Sequence, residues 1–309
     1  MRIFDHWQDV AAGARGASVA LGNFDGVHCG HQRVIDLARR DDLPLGIVTF
    51  EPHPREHFAP DAPPFRLMNP EARANRLARL GVELLYELPF DAVLAGLSAD
   101  AFAREVLAEG LGVRHVVVGA DFCFGKGRTG TATDLVRLGE ALGFEVTVAS
   151  LLADGDHIFS STAIRSALSD GRPRDAARML GHWHRIEGAV LHGEKRGREL
   201  GYPTANMSIK GLHPPRFGVY AVQVDVLGGG HVGRYGGVAS LGVRPMFGEN
   251  LPNLETFFFD FKGDLYGQHI SVALIDHLRD EARFDSLDAL ITQMDFDSAQ
   301  ARAILAALG

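Results

Sequence analysis

Two histidines in a glycine-rich segment near the amino terminus are the strongest candidates for catalytic side chains. His28 and His31 are spaced as His-x-Gly-His within the segment 22–31, which has glycines at 22, 26 and 30. Glycine lets a backbone approach a ligand closely, and a helix that opens around His31 aims free N–H groups and partial positive charge at that place. Two imidazoles there could stabilise charge on a phosphoryl group in transfer. The segment predicts a phosphate site; a glycine-rich turn with two solvated histidines is the alternative.

A second segment with phosphate-binding chemistry spans residues 158–165. Ser160 is suited to cap a helix, and Ser161, Thr162 and Arg165 would then lie on its first turn. Hydroxyls, free amides and a guanidinium at one helix start can share a triphosphate. The alternative is an ordinary capped helix with an exposed arginine. That alternative would prevail for this segment alone, but not beside the histidine segment in one parallel sheet.

A third segment of this kind, residues 192–206, lies in the second half of the chain. Its glycines with Lys195, Arg196 and Arg198 suit a polyphosphate, and Thr204 and Asn206 offer the hard oxygen ligands that Mg²⁺ prefers. A basic hairpin loop is the alternative. Further on, Glu255 lies in an apolar strand-like run, where it is either exposed at an edge or a general base facing a pocket. The sequence alone leaves these two interpretations of the glutamate open.

Apolar and amphipathic runs alternate from residue 18 to about residue 150, which predicts a parallel sheet wrapped by helices. Ligands in such sheets bind at the carboxyl ends of the strands, and the candidate motifs directly follow strands. The run 119–130 contains Gly125-x-Gly127-x-x-Gly130, which matches the dinucleotide fingerprint, but it follows the fourth strand and no suitable acid ends the next strand. We interpret it as a mobile basic loop whose Lys126 and Arg128 are available to a nucleotide or flavin; a plain surface turn is the alternative. The predicted strands are 18–21, 45–49, 83–86, 115–118 and 145–149, with helices over 31–40, from 69–70, after Ser98 and over 133–142.

The periodicity changes to two from about residue 183, which predicts an antiparallel barrel or sandwich. The predicted strands are 185–191, 219–226, 236–241, 254–261 and 270–275, preceded by helices from Ser160 and over 174–180. The chain ends in two predicted helices: Ser286 caps 287–294, and Asp297 caps a second one through Leu305.

Bulk properties narrow the class of protein. A length of 309 residues suggests two domains, at about 150 residues per domain. A net charge of −8 argues against a general nucleic-acid binder. Cys29 and Cys123 are too few for a disulfide framework and are expected to be reduced thiols, with a catalytic nucleophile as the alternative. No apolar run is long enough for a signal peptide or a membrane span, so we expect a cytoplasmic protein without membrane or nucleic-acid partners.

Over essentially its whole length the chain resembles the prokaryotic bifunctional riboflavin kinase/FAD synthetases. The segments Gly22-x-Phe24-Asp25-Gly26-x-His28-x-Gly30-His31 and Ser160-Ser161-Thr162-x-x-Arg165 look like the adenylyltransferase motifs of that family, and Gly201-Tyr202-Pro203-Thr204-Ala205-Asn206 looks like its kinase motif. The combination, order and spacing of the motifs are more specific than any one of them. The resemblance implies a nucleotidyltransferase-like (Rossmann-like) α/β domain over 1–182, followed over 183–309 by a small antiparallel β-barrel domain with C-terminal helices.

The resemblance implies two reactions. The second domain would transfer the ATP γ-phosphoryl to riboflavin with Glu255 as base, giving FMN. The first would let the FMN phosphate attack the ATP α-phosphorus, giving FAD and pyrophosphate, while His28 and His31 stabilise the transition state. The substrates would be ATP, riboflavin and FMN, with Mg²⁺ held by Thr204 and Asn206, in a monomer or weak homo-oligomer. Phosphate contacts are assigned to Gly22, Phe24, Asp25, Gly26, Gly30, Ser161, Thr162, Arg165, Gly193, Arg198, Gly201, Thr204 and Asn206, and flavin contacts to Asp121, Phe124, Arg128 and Arg279.

Two residues depart from the pattern of the family. It usually has arginine where Cys123 stands and threonine where Met246 stands. Loss of a guanidinium beside a phosphate or flavin could weaken adenylylation, but all residues of the histidine and serine motifs are present, so both activities are expected to persist. The rival hypotheses are a kinase with a degenerate N-terminal domain and a flavin carrier without turnover.

Overall fold

A computed structural model describes residues 1–150, 153–154, 157–192, 202–246 and 249–308, without the side chains of 153–154, 157–158, 244–246 and 249–251. The chain divides into two compact units. Unit 1 contains Met1–Ala62 and Arg73–Phe159, and unit 2 contains Pro63–Ala72 and Ser160–Gly309. Unit 2 thus includes the short segment 63–72 and begins again at residue 160. The predicted domain boundary after residue 182 stays a prediction.

Unit 1 is built on a six-stranded parallel sheet, as the alternating pattern predicts. The strands are β1 (Arg2–Phe4), β2 (Ser18–Leu21), β3 (Leu45–Glu51), β4 (Leu84–Pro89), β5 (His115–Gly119), β6 (Cys123–Phe124), β7 (Gly130–Thr131), β8 (Glu145–Ala149), β9 (Ala153–Asp154) and β10 (His157–Ile158). The sheet has the order β1-β4-β3-β2-β5-β8, and β6–β7 and β9–β10 form two short antiparallel pairs. The edge strand β1 was not predicted, because three residues are too few to show a period.

Helices follow the strands of unit 1. The side chains of Ser98 and Thr131 accept backbone hydrogen bonds at two of the helix starts, as N-caps do. The first helix begins two residues before the predicted position, because His28 rather than a later residue caps it. The helices are α1 (Cys29–Leu37), α2 (Pro54–Phe58), α3 (Pro70–Arg79), α4 (Ala92–Gly96), α5 (Ala99–Ala101), which continues as a π-helix over Phe102–Gly110, and α6 (Ala132–Leu142).

The core of unit 1 explains why its strands are almost wholly apolar. Every residue of β2 and the first six of β3 are buried, since helices cover both faces of the sheet. The sheet order places β3 and β5 on opposite sides of β2, so the chain reverses its winding direction beside β2. In open α/β sheets the crevice at such a reversal, outside the carboxyl ends of the strands, is where ligands bind. The histidine segment directly follows β2, at that end.

Unit 2 holds a six-stranded antiparallel sheet that closes nearly into a barrel. The strands are β11 (Arg185–Ala189), β12 (Thr204–Ser208), β13 (Gly218–Val226), β14 (Gly233–Met246), β15 (Glu249–Phe258) and β16 (His269–Arg279). Their order in the sheet is β11-β16-β13-β14-β15-β12, and an isolated bridge between Leu191 and Asn206 joins the two ends of the sheet. The prediction of an antiparallel barrel or sandwich is therefore confirmed in its barrel form, with an apolar interior that includes Ile186, Met207, Leu254 and Leu274.

The helices of unit 2 are α7 (Ser161–Ser169), α8 (Pro173–Leu180) and α9 (Leu287–Ala306). Ser160 and Ser286 cap the first and the last of these, as predicted. The prediction of two separate C-terminal helices is wrong. Asp297 does not cap a new helix but lies inside α9, buried, with its carboxylate paired to Arg279. No glycine or proline lies between Met294 and Asp297 to end the helix.

The segment 63–72 belongs to unit 2 through specific contacts. Arg66 bridges to Leu212, and its carbonyl accepts a hydrogen bond from the backbone N–H of His213. The Asn69 side chain donates to the carbonyl of Glu187 at 2.8 Å. Among the residues that the structure describes, no helix has both the length and the apolar character needed to cross a bilayer.

Candidate functional site

The histidine loop is placed at the carboxyl end of β2, where the sequence predicts it. Nδ1 of His28 accepts a hydrogen bond from the backbone N–H of His31 at 3.3 Å and so caps α1. Because Nδ1 accepts, the proton of the neutral imidazole is on Nε2, a donor suited to a phosphate oxygen. A Cβ on Gly30 would lie 3.1 Å from the His28 ring, which favours glycine there.

The two histidines are stacked on each other. Their ring centroids lie 3.7 Å apart with an interplanar angle of 19°, and Phe24 contacts the second ring at 5.2 Å. Burial, reinforced by the neighbouring imidazole of His28, lowers the pKa of His31 well below its ordinary value. The ring of His31 is therefore neutral at pH 7, and its Nδ1 has no hydrogen-bond partner among the described residues. The arrangement suits an incoming anion, which would stabilise added protons on this pair.

The loop that carries these rings has an unusual backbone. Phe24 and Val27, both fully buried side chains, have φ of 53° and 43°, and Gly26 between them has φ of 84°. Each such non-glycine residue costs about 1–3 kcal/mol and persists only where the surroundings fix it. The sequence does not reveal that support. It comes from Thr49, Glu51, Arg73 and Glu87, which sequence reasoning missed because they lie on three separate elements.

The loop after β5 folds as a hairpin rather than as open chain. Its strands β6 and β7 pair, and Gly125, with φ of 72°, packs so closely on Ala99 that a Cβ would lie 2.6 Å from the backbone nitrogen there. Asp121 and Arg128 are exposed, whereas Phe124 is only 6% exposed, in the core beside Phe102. The mobility of this loop and the flavin contacts of these three residues stay predictions.

Cys29 and Cys123 are both free thiols, half-buried. Burial raises the pKa of Cys29, which keeps the thiol protonated and opposes the alternative of a catalytic nucleophile. The Sγ of Cys123 lies 3.6 Å from the carbonyl of Asp121.

The serine motif begins α7 in unit 2. The Ser160 hydroxyl oxygen accepts a hydrogen bond from the backbone N–H of Ala163, with 3.2 Å between Oγ and the nitrogen. The Arg165 guanidinium lies over the start of the same helix, where it donates to the Thr162 hydroxyl and to the carbonyl of Phe65, each at 3.3 Å. The predicted side chains of this motif thus lie together on one helix turn. Whether they share a ligand with the histidine loop stays a prediction.

The kinase motif and the predicted base meet on one face of the barrel sheet. Asn206 of β12 pairs directly with Glu255 of β15, and Thr204 lies two residues away on the same face. The alternating residues Ala205, Met207 and Leu254 point into the apolar interior, so the polar set occupies the outer face. Glu255 is half-buried in this position. The sequence left two interpretations of Glu255, a residue exposed at a sheet edge or a base that faces a pocket. Its pairing with Asn206 favours the second interpretation.

Asn253 is a member of this face that the sequence does not reveal. It is 1% exposed, and its Nδ2 donates to the Oδ1 of Asn206 at 2.9 Å. Its own Oδ1 has no hydrogen-bond partner among the described residues. The carboxylate of Glu281 lies over Gly242, the residue opposite Asn253, so that a Cβ on the glycine would collide with it. Two carboxylates and two amides therefore line this face.

Arg279, a predicted flavin contact, is held in an ion pair. Its Nε and one terminal nitrogen contact the carboxylate of Asp297 at 2.8–3.1 Å, and its other terminal nitrogen donates to the carbonyl of Asp280. Its role toward flavin stays a prediction. Gly193, Arg198 and Gly201, with Lys195 and Arg196, lie outside the described residues, as does the side chain of Met246.

Comparison with known families divides the chain as its motifs do. A family model of FAD synthetase matches residues 11–163, and one of riboflavin kinase matches residues 180–305.

Curated relatives match both regions together. The chain is 42% identical over 301 residues to the bifunctional riboflavin kinase/FMN adenylyltransferase of Pseudomonas fluorescens, covering 94% of each chain. It is 39% identical to the protein of that name from Escherichia coli K12, covering 93% of this chain and 92% of the relative. The Bacillus subtilis protein of that name is 38% identical, with 92% and 90% covered.

A solved structure is similar to this chain over nearly its whole length. It is described as a macrolide-efflux protein from Streptococcus pneumoniae and is 33% identical, with a TM-score of 0.82, covering 97% of this chain and 98% of that one. That description names an activity of the other protein, and the likeness between the two chains is one of fold.

Proposed function

The chain belongs to the family of bifunctional riboflavin kinases/FMN adenylyltransferases, and we propose which of its residues perform the two reactions. The C-terminal region phosphorylates riboflavin to FMN, and the N-terminal region joins FMN to the adenylyl group of ATP, giving FAD and pyrophosphate. The observation that carries the residue assignment is the pairing of Asn206 with Glu255 on the outer face of the barrel sheet. A flavin carrier would have no use for a base beside two oxygen ligands.

In the kinase reaction Glu255 acts as the general base. Its carboxylate accepts the proton of the riboflavin 5′-hydroxyl as that oxygen bonds to the γ-phosphorus of ATP and the bond to the leaving ADP breaks. Asn206 and Thr204 bind the triphosphate beside it. The amide of Asn253 keeps Asn206 in one orientation through the 2.9 Å hydrogen bond. Gly193, Arg198 and Gly201 complete the phosphate contacts in this proposal.

The donors present fit a magnesium ion. The Thr204 hydroxyl and the Asn206 carbonyl oxygen are hard oxygen ligands on one face of one strand. The Oδ1 of Asn253, which has no partner within the described part of the chain, adds a buried lone pair beside them. When bound by Thr204 and Asn206, Mg²⁺ would neutralise charge on the phosphates of ATP. Few protein ligands are needed, because Mg²⁺ keeps several waters and substrate phosphates as ligands.

In the adenylyl reaction the histidine loop stabilises the transition state. An oxygen of the FMN phosphate attacks the α-phosphorus, the bond to the β-phosphate breaks, and pyrophosphate leaves. His28 donates from Nε2 and His31 stabilises the charge that develops. No general base is required, because the attacking phosphate is already an anion. Ser161, Thr162 and Arg165 bind the leaving phosphates, while Gly22, Phe24, Asp25, Gly26 and Gly30 form the loop around ATP.

The flavin of the adenylyl reaction would lie near the hairpin after β5 and the aromatic residues of the neighbouring strand ends. Asp121, Phe124 and Arg128 are our assignments there. Phe58 adds a candidate that the sequence does not indicate: its side chain is 69% exposed and contacts Phe90 with ring centroids 5.7 Å apart. An exposed aromatic pair of this kind offers a face to a flat ring. For the kinase reaction we keep Arg279 as a flavin contact.

The partners in this proposal are small molecules only: ATP, riboflavin and FMN. We propose a cytoplasmic location, supported by the two free thiols, and a monomer or weak homo-oligomer. The net charge of −8 is the reason to propose no nucleic-acid partner.

Product analysis over time tests the assignment of both reactions. The purified protein is incubated with riboflavin, ATP and Mg²⁺, and riboflavin, FMN and FAD are separated by chromatography. We expect FMN first and FAD second, and no product after chelation of Mg²⁺. FMN without FAD would indicate a degenerate adenylyl site, and Cys123→Arg would then be tested for restored FAD formation. Tight flavin binding without ATP consumption would favour a carrier and refute the proposal.

A further inference from the structure

We propose that Arg73 is a positioning residue for adenylyl transfer: its guanidinium ties the ends of β3 and β4 to the carbonyl of Asn23 and so holds the loop that carries His28 and His31. This inference deepens the proposed function of that loop and rests on it. All the residues involved belong to unit 1.

The loop needs an external support. Its left-handed residues Phe24, Gly26 and Val27 follow Asn23 directly, and two of them carry side chains that disfavour this conformation. A backbone conformation of this kind persists only where several contacts with neighbouring groups hold it in place. Inside the loop, the N–H of Val27 donates to the carbonyl of Phe24 at 3.1 Å, and the Gln32 side chain donates to the carbonyl of Val27 at 2.9 Å. These contacts close the turn but do not connect it to the sheet.

One connection to the sheet runs through the carbonyl of Asn23. This oxygen accepts two side-chain hydrogen bonds, from the Thr49 hydroxyl at 3.2 Å and from a terminal nitrogen of Arg73 at 3.4 Å. Thr49 lies on β3 and Arg73 on α3, so two elements hold one carbonyl from different directions. The residue after this carbonyl is the first left-handed one, which makes Asn23 the point where the loop is oriented.

Arg73 is itself fixed by two carboxylates. It is 1% exposed, and its other terminal nitrogen lies 3.0 Å from Glu51 and 2.5 Å from Glu87. Glu51 ends β3, and Glu87 pairs with Thr49 in the register of β3 and β4. The planar fork of a guanidinium can reach a carbonyl on one side and carboxylates on the other, which the single ammonium of lysine cannot do in the same geometry.

These contacts indicate positioning rather than substrate binding. Both terminal nitrogens of Arg73 donate to protein oxygens, and its Nε, which has no hydrogen-bond partner among the described residues, is buried. The cluster has two carboxylates for one guanidinium, so it carries no surplus positive charge to attract a polyphosphate. A buried ion cluster is also weak evidence for a contribution to stability, since well-packed neutral residues often replace one without loss. The cluster therefore needs a test that separates catalysis from stability.

The test compares three variants of the full-length protein with the parent: Arg73→Lys, the neutral triple variant Arg73→Met/Glu51→Gln/Glu87→Gln, and Arg79→Lys. Arg79 is exposed on the same helix and serves as the matched control. The measurements are kcat and KM for ATP in FAD formation from FMN, riboflavin phosphorylation, the thermal midpoint, and amide hydrogen exchange of residues 24–27.

We expect Arg73→Lys to lower kcat for FAD formation roughly 10- to 100-fold, the effect of a small misplacement of catalytic groups, with KM for ATP changed less than about threefold. Riboflavin phosphorylation stays at the parental rate, and exchange of residues 24–27 becomes faster. The triple variant unfolds near the parental temperature but keeps the low kcat. The control variant matches the parent in every measurement.

A parental kcat in Arg73→Lys or in a folded triple variant would overturn the inference, and so would a rise in KM alone, which would make Arg73 a substrate ligand. If the triple variant does not fold, Arg73→Lys decides the question. A parent that forms no FAD would refute the function of the loop instead. In that case faster exchange of residues 24–27 in Arg73→Lys still supports positioning, and unchanged exchange overturns it.

Discussion

His28 shows how one side chain serves local structure and chemistry together. By capping α1 through Nδ1 it satisfies an otherwise unpaired N–H and at the same time fixes the tautomer that presents a donor from Nε2. His31 contributes differently, since burial keeps its ring neutral in the free protein. The pair is thus arranged for an anion that arrives with the substrate.

Substitution of His31 by asparagine should reduce FAD formation from FMN by about 100-fold or more, the usual effect of removing a donor to a developing negative charge. Riboflavin phosphorylation should continue at the parental rate, because that reaction belongs to the other region. Separate assays of the two products check this. Cys29→Ser, in the same loop, is the control and should match the parent. Parental FAD formation in His31→Asn would refute the role of the histidine.

Substitution of Glu255 by glutamine should slow riboflavin phosphorylation by about 100-fold or more, because the amide cannot accept the hydroxyl proton. FAD formation from supplied FMN should not change. Initial rates with riboflavin and with FMN as the only flavin measure the two effects. Asp288→Asn, an exposed acid-to-amide change on α9, is the matched control. A kinase rate in Glu255→Gln equal to that of this control would exclude Glu255 as the base.

Among the elements, the amino-terminal ends of β2, β5 and β8 share a buried polar network around His115. The Ser18 hydroxyl donates to the carbonyl of Ala38 and therefore accepts from Nδ1 of His115 at 2.8 Å. Nε2 then accepts from Thr147 at 2.9 Å, with Arg40 at 3.4 Å. Burial and the charge of Arg40 lower the pKa of His115, and Glu145 opposes that shift only in part.

This network predicts a pH dependence of stability. The folded protein favours neutral His115, so the stabilisation is fully present above the ordinary pKa of 6.5 and is lost as the pH falls below it. The parent should lose stability between pH 7.5 and 5.5 more steeply than His115→Gln, by at most about 1.4 kcal/mol per pH unit. Denaturant unfolding at the two pH values measures the difference. His6→Gln, at an exposed site, should keep the parental slope, and an equal slope in His115→Gln would contradict the prediction.

The whole molecule combines two units, and the change of periodicity at residue 183 predicts where the barrel begins. The helices α7 and α8 precede that residue, belong to unit 2 and contact its later segments. Arg174 of α8 pairs with Asp276 of β16 at 3.0 Å, and the carbonyl of Leu168 in α7 accepts from the N–H of Arg216. Long-range contacts of this kind leave no periodic signal in the sequence.

A fragment of residues 160–309 should therefore unfold at a temperature higher by about 5 °C or more than a fragment of residues 183–309, because it keeps the buried side chains of α7 and α8. Both fragments contain Thr204, Asn206 and Glu255, so both should phosphorylate riboflavin when folded. Thermal unfolding with a kinase assay on each fragment provides the comparison. Equal midpoints would place the boundary at residue 183, as the periodicity predicts.

The two fold classes could be predicted from the sequence, because periodicity and helix caps are properties of adjacent residues, and the order of the two activities followed from the resemblance of its motifs to those of a family. Contacts between distant segments were needed to show that Asn206 faces Glu255 across two strands and that Asp297 pairs with Arg279 instead of starting a helix. The tertiary structure also brought Arg73, Glu51 and Glu87 together from one helix and two strands. Such contacts depend on strand register and on packing between distant segments, and no local pattern along the chain encodes them.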